Sequence, residues 1–242
     1  GPTGTTARQT DPDSGVASFG QAPGMHTIKF NRAGYLPVWR KQNLSLQQTA
    51  IVPNPRLVKR ASESASLTPL QTAVVSNATG SIQLSVPAGA VGQNAPLTLT
   101  PLTGQDLPAF LPLGWSPLRA FWIETSAPLQ KPISAALRPL ASIANNETAA
   151  LVRWDEGSLD WLVVQTVLGA GTNALNVTLA TTGAYALVVG DAGETAPPAP
   201  QVGQPLPGSS VGAISLDGLT ATGTVTPPAS PASTVPELVI GG

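Results

Sequence analysis

The stretch Gly80–Leu118, GSIQLSVPAGAVGQNAPLTLTPLTGQDLPAFLPLGWSPL, indicates the fold of this 242-residue chain. Apolar and polar residues alternate in Ser81–Val86 and in Leu97–Pro101, on either side of the turn Val86–Ala90. Alternation with a period of two is typical of strands that bury one face, and Pro and Gly in the turn interrupt them. A Pro-rich crossing segment then leads into Trp115. The stretch therefore predicts short β-strands separated by turns.

The composition of the chain indicates the same class of fold. Only 10% of residues are charged and 42% are hydrophobic, while Pro and Gly contribute 25 and 24 residues. Because few stretches escape Pro or Gly for three helical turns, long helices are not expected. Low charge with many turn-forming residues is typical of all-β proteins that also contain linkers. We predict an all-β protein of one or two domains.

Composition also excludes several classes of function. The chain has no cysteine, so it has neither a disulfide framework nor a thiolate metal site. A net charge of −1 gives no electrostatic case for binding nucleic acid. The longest apolar stretches are only strand-sized, which predicts no membrane insertion. Gly1 and Pro2 are typical of the scar that a tag-removing protease leaves, and we expect the chain to be a fragment of a longer protein.

Turn residues and alternation divide the chain into three segments. Residues 5–60 form a small β module and residues 71–191 a larger β-sandwich, joined by the Ser-rich connector Arg60–Leu70. Residues 192–242 are predicted to be a Pro-rich linker, to which Ile214–Val225 adds one pair of short strands. Beyond the opening stretch, strands are predicted at Val16–Phe19, Met25–Phe30, Leu36–Arg40, Leu44–Val52, Ala73–Val75, Arg119–Thr125, Ile133–Leu137, Ala149–Trp154, Trp161–Val167, Ala174–Leu179 and Gly183–Val189.

The first module carries a recognisable order of motifs. These are TDPDSGVASF at residues 10–19, PGMHTIKF at 23–30, GYLPVWR at 34–40 and Arg56-Leu57. The order resembles the carboxypeptidase-regulatory-like, or transthyretin-like, modules of surface proteins. That resemblance implies a small β-sandwich. The first strand or two of the family pattern are missing or reduced to residues 1–9, so the module is expected to be incomplete.

The second module has its own resemblance. The opening stretch, followed by LVRWDEGSLDWLVVQTV at residues 151–167 and GAYALVVGD at 183–191, resembles a ZU5/UPA-like β-sandwich. The two modules in tandem, with the phrase LPLGWSPL, resemble the N-terminal regions of giant secreted bacterial Rhs/YD-repeat (teneurin-like) proteins. This implies a non-catalytic structural or docking module, outside the cell or on its surface. Its partners would be other domains of the same polypeptide, and it would need no cofactor.

Residues able to support catalysis are few. Gly114-Trp-Ser116 matches part of a nucleophile elbow, but the second Gly and the alternating βα pattern are missing. His26 is the only histidine. Asp155, Glu156 and Asp160 surround one hairpin and would suit an acid–base pair or calcium, although exposed loop carboxylates at a turn are commoner. We therefore predict no catalytic residues and no enzyme.

Three alternatives concern binding. Asp11 and Asp13 have the Asp-x-Asp-x-Gly spacing of a calcium loop, but no downstream acidic residue completes it, which favours a solvated turn. Trp115, Trp154 and Trp161 would form a stacking platform for a cell-surface glycan if exposed, whereas Trp in sandwiches often anchors the core. A first module that lacks a strand would leave an unpaired edge, through which copies would self-associate into a fibre.

Overall fold

The structure is a computed structural model, and its fold is all-β, as the sequence predicts. The described residues contain fourteen strands and one 3₁₀ turn, Gly104–Asp106. The structure describes residues 7–11, 16–18, 20–47, 49–52, 54–61, 64–141, 143–144, 147–168, 174–193, 196–209 and 237–239. The strands are β1 Arg8–Gln9, β2 Gly24–Asn31, β3 Val38–Leu44, β4 Ser64–Leu67, β5 Ala73–Ser76, β6 Ile82–Val86, β7 Ala95–Leu102, β8 Trp115–Thr125, β9 Ile133–Leu137, β10 Thr148–Asp155, β11 Asp160–Leu168, β12 Leu175–Leu179, β13 Gly183–Gly190 and β14 Glu237–Val239. Within the described residues, no helix is long and apolar enough to cross a membrane.

The chain forms two compact units. Unit 1 combines the residues up to Arg60 with Pro108–Phe110 and the C-terminal strand, and unit 2 contains the remainder from Ala61 onward. Unit 1 has a four-stranded sheet in the order β1-β14-β2-β3. Strands β2 and β3 pair antiparallel, while β14 lies between β1 and β2 and runs parallel to both. The C-terminal strand therefore completes the sheet of the N-terminal unit.

The packing of unit 1 is modest. Phe30 and Val38 form a buried apolar cluster, with Ile28 and Leu57 packed against them, and Leu36 and Trp39 are buried as well. Arg40 is also buried, and its Nη1 donates to the carbonyls of Trp39 and Pro108 at 2.8 and 3.3 Å. Its guanidinium lies 4.3 Å from the ring centre of Phe110, and burial lowers the pKa of Arg40.

Unit 2 is a sandwich of two antiparallel sheets. The larger has the order β11-β10-β13-β8-β7-β4 and the smaller the order β12-β9-β6-β5. The burial of β6 alternates as its sequence does, so Ile82, Leu84 and Val86 point into the core. The facing residues of the larger sheet include Phe121 and Tyr185, whose rings stack at 5.6 Å between centroids. One core between the two sheets holds the unit together.

Two inner strands of the larger sheet, β10 and β13, are buried on both faces over most of their length. Ala149 and Leu151 belong to the core between the sheets, and the alternating Ala150 and Val152 are equally inaccessible. In β13 the run Ala184–Val188 is buried throughout. Continuous apolar runs in place of strict alternation are typical of strands covered on both sides.

Three predicted segments differ from the structure. The connector Arg60–Leu70 contains strand β4, because the backbone of Ser64–Leu67 pairs with β7. Residues 16–18 form no strand, and Phe19 lies outside the described residues. The predicted strand Leu44–Val52 is wrong for its described part, because β3 ends at Leu44 and Gln47 then turns with a φ of 59°. Ile214–Val225 also lies outside the described residues.

Candidate functional site

The acidic hairpin between β10 and β11 is a self-capped turn. The carboxylate of Asp155 accepts hydrogen bonds from the backbone N–H and hydroxyl of Ser158, at 2.8 and 2.9 Å. It also accepts from Arg153 Nη2 at 2.7 Å. The Ser158 N–H, the Ser158 hydroxyl and Arg153 together hold the pKa of Asp155 below its ordinary value, the backbone N–H contributing most and partial burial opposing them. The ionised carboxylate of Asp155 therefore closes the turn and stabilises the hairpin, and both of its oxygens accept hydrogen bonds within that hairpin.

The three tryptophans considered above as an alternative stacking platform are all buried. Trp115, Trp154 and Trp161 are 6%, 4% and 2% exposed. Trp154 and Trp161 are register partners across the hairpin and pack edge to face at 5.7 Å between centroids. Stacking on a sugar requires an open indole face, so these three residues serve as packing anchors in this conformation.

The Pro-rich segment after β13 is fastened to the sandwich. Residues 203–209 are called the strap here, and the first four of them, 203–206, pair with the outer edge of β11. Gly203 N–H donates to Val163 O at 2.8 Å, Val163 N–H to Gln204 O at 2.9 Å and Leu206 N–H to Trp161 O at 2.7 Å. Leu206 is buried. A segment whose composition predicts a linker therefore covers one edge of the larger sheet.

The last residues of the strap also reach the start of β8, an inner strand of the larger sheet. The indole Nε1 of Trp115 donates to the carbonyl of Pro207 at 2.6 Å. Ser209 N–H donates to the carbonyl of Leu113 at 2.7 Å, just before β8 begins. Pro205 forms the bridge to Leu162 and has no N–H to offer a further strand. The strap thus closes the β11 edge and is itself a poor template for strand addition.

The opposite side of the sandwich, which we call the open side, carries the outer strands β4 and β5. A groove of about 460 Å³ lies between them, lined by residues that include Ala65, Val74, Asn77 and Leu99. Its lining contains no ionisable side chain, and Val74 is exposed. Asn77 is held in the adjoining turn, where its Oδ1 accepts from Ile82 N–H at 3.0 Å. The groove therefore lacks groups for acid–base chemistry.

The remaining predicted residues are placed as follows. Ser116 Oγ donates to Asp191 Oδ1 at 3.3 Å on the exposed surface, a contact between a hydroxyl and a carboxylate. The ring of His26, in unit 1, donates from Nε2 to the carbonyl of Ala22 at 2.7 Å, which closes a local turn. Asp11 N–H donates to Val16 O at 2.9 Å, and Asp13 lies outside the described residues. Among the described residues, no group of three or more His, Asp or Glu side chains could hold a metal ion.

The sequence contains a signal for the capping role of Asp155 but none for the position of the strap. The spacing Asp155-Glu-Gly-Ser158 is that of a side chain capping its own turn, so the role of Asp155 had a local signal. The strap had none, because hydrogen bonds to residues far along the chain fix its position.

In comparisons with known proteins, the chain matches no family model and no curated protein. The class that the structure defines is an antiparallel β-sandwich unit together with a smaller mixed sheet.

Proposed function

We propose that the chain is a non-catalytic structural module of a large secreted or cell-surface bacterial protein of the Rhs/YD-repeat kind. Its partners are other domains of the same polypeptide. The observation that carries the proposal is the fastening of the strap: hydrogen bonds to β11 and to Trp115 fix the segment by which the chain leaves the sandwich. A spacer or docking element needs such a fixed segment, because it sets the position from which the rest of the polypeptide continues.

The positions of the two ends of unit 2 support the same role. The chain enters the larger sheet at β4, one outer strand, and leaves along β11, the outer strand on the opposite side. Six inter-strand steps of about 4.8 Å separate β4 from the strap, which sets an offset of roughly 29 Å. Five of the six steps are antiparallel ladders of backbone hydrogen bonds, and the bonds of Gly203, Gln204 and Leu206 to β11 form the sixth, so the whole offset is held by backbone pairing.

The side chains best able to take part in catalysis make local structural contacts instead, which supports a structural role for the chain. Asp155 caps its turn, Ser116 contacts Asp191 and His26 closes a loop. The tryptophans are packing anchors, so the observations favour the structural role over glycan stacking.

Localisation and size of the native antigen test the proposal. An antibody raised against the purified chain should label intact, unpermeabilised cells of the source bacterium or precipitate antigen from the medium. On a denaturing gel that antigen should migrate far above the position expected for 242 residues. A matched antibody against a cytoplasmic enzyme serves as the control for cell lysis. Antigen confined to the cytoplasmic fraction, or of a size matching this chain alone, would contradict the proposal.

A further inference from the structure

Strand β14 occupies an unusual place in unit 1. It lies between β1 and β2, with Leu238 opposite Arg8 on one side and opposite Phe30 on the other. It is the last strand in sequence, yet it is an inner strand of a sheet built from the first 44 residues. Both of its backbone edges are therefore engaged by strands that come from the far end of the chain.

The sheet depends on this insertion. Without β14, the two-residue strand β1 has no neighbour in the described part of the sheet, and only the β2–β3 hairpin remains. An isolated hairpin is only marginally stable in water, whereas three or more strands with an apolar face can be stable on their own. The buried pair Phe30 and Val38 lies on that hairpin, so β14 extends the sheet that carries the small core of unit 1. Unit 1 is thus an acceptor and β14 its donor strand.

The covalent link between donor and acceptor is long. Between the strap, which ends at Ser209, and Glu237 lie 27 residues. Fully extended, they span at most about 3.3–3.6 Å each, or roughly 90–97 Å. A 60-residue domain has a radius of gyration of only about 10 Å. The link is therefore long enough for β14 to reach a neighbouring molecule.

We propose that β14 is an exchangeable donor strand and that a second copy of this chain supplies it to unit 1. A strand held by backbone pairing makes the same bonds whichever copy provides it, which is the basis of domain swapping. A tether gives the strand of the same chain an effective concentration on the order of millimolar. Pairing between copies therefore becomes comparable to pairing within one chain as the protein concentration approaches that range, and it exceeds it at higher local concentrations, as on a crowded surface or within a fibre. This inference does not depend on the proposed function, because it concerns pairing alone.

Cross-linking of register partners tests the exchange directly. The native chain has no cysteine, so two thiols can be placed without background. Lys29 and Glu237 are partners across β2 and β14. One full-length variant carries Lys29→Cys and another carries Glu237→Cys. The two are unfolded together, refolded at protein concentrations from about 10 µM towards the millimolar range of the tether, and oxidised.

The expected product is a disulfide-linked heterodimer whose yield rises with protein concentration. The matched control replaces Lys29→Cys by Gln42→Cys, which lies on β3 and is not a neighbour of β14. We expect at least about tenfold more heterodimer from the Lys29→Cys mixture, because strand pairing holds its two thiols together. A Leu238→Pro change in the donor chain, which removes a strand N–H, should reduce the yield to that of the control.

A double variant with both cysteines in one chain separates the remaining outcomes. If it forms an internal disulfide while the mixed single variants remain at the control level at every concentration, β14 stays with its own chain and the exchange proposal is overturned. If neither cross-links, the donor role of β14 is overturned as well. Light scattering on the wild-type chain, refolded over the same concentrations, should show dimers or larger species that the Leu238→Pro chain does not form.

Discussion

The indole of Trp115 donates a 2.6 Å hydrogen bond to the carbonyl of Pro207, a residue 92 positions later in the sequence. Trp115 opens β8, an inner strand, while the strap to which Pro207 belongs pairs with the outer strand β11. The bond therefore ties the exit of the chain to the middle of the sheet as well as to its edge. This hydrogen bond helps to fix the Pro-rich strap to unit 2.

Replacing Trp115→Phe should loosen the strap. The variant keeps an aromatic ring but leaves the carbonyl of Pro207 without this donor and removes buried volume. Losing a partner of a partly buried polar group costs about 1–3 kcal/mol. Hydrogen exchange by NMR should show faster exchange at Gly203 and Leu206, whose N–H groups form the strap bonds. Ser116→Ala, at the exposed next position, is the control, and equal exchange in the two variants would contradict the fastening role.

The pH dependence of stability should reflect Asp155. Its folded pKa lies below the unfolded value, chiefly because the Ser158 N–H stabilises the carboxylate. Its stabilisation is therefore present above the unfolded pKa of about 4 and is lost as the pH falls through the folded pKa. Urea midpoints of the wild type and Asp155→Asn should differ at pH 7 and converge towards pH 2.

Ser158→Ala provides the graded comparison for this titration. It removes the hydroxyl donor but keeps the backbone N–H, which contributes most to lowering the pKa of Asp155. Its urea midpoint should fall less than that of Asp155→Asn at pH 7, and it should keep a pH dependence that Asp155→Asn lacks. A constant difference between wild type and Asp155→Asn from pH 7 to pH 2 would show that the carboxylate charge does not stabilise the hairpin.

Much of unit 2 was predictable because its patterns are local. The alternation in Ile82–Val86 is reproduced as alternating burial, and the run Ala184–Val188 became an inner strand covered on both faces. Strand β4 was missed because Ser64–Leu67 has one large apolar residue and owes its extended form to backbone pairing with β7.

The surfaces were less predictable than the strands. Whether an indole is exposed depends on which segments cover it, and for Trp115 that includes the strap, whose composition carries no periodic signal. The parallel insertion of β14 into the first unit is likewise set by tertiary pairing. Composition predicted only a linker for that region.

The core assignment leads to a direct stability test. Leu84 is completely buried between the two sheets of unit 2, whereas Leu140 is 73% exposed. Leu84→Ala should lower the free energy of unfolding by about 2–5 kcal/mol, since it removes buried methyl groups and leaves a cavity. The matched change Leu140→Ala should alter it by no more than about 0.5 kcal/mol. Urea denaturation followed by tryptophan fluorescence measures both, and similar midpoints would contradict the sandwich register.

Tyr185 links the core to the turn before β13. Its hydroxyl donates to the carbonyl of Thr181 at 2.7 Å, while its ring stacks on Phe121. Tyr185→Phe keeps the ring and removes the bond, so unfolding should become easier by about 0.5–1.5 kcal/mol at pH 7. Burial raises the pKa of Tyr185 above its unfolded value of about 10. The wild type should consequently lose stability as the pH rises above 10, because the unfolded chain ionises first. Tyr185→Phe should lack that loss, so its deficit should shrink between pH 9 and pH 11; a deficit that stays constant would show that the phenol ionises equally in both states.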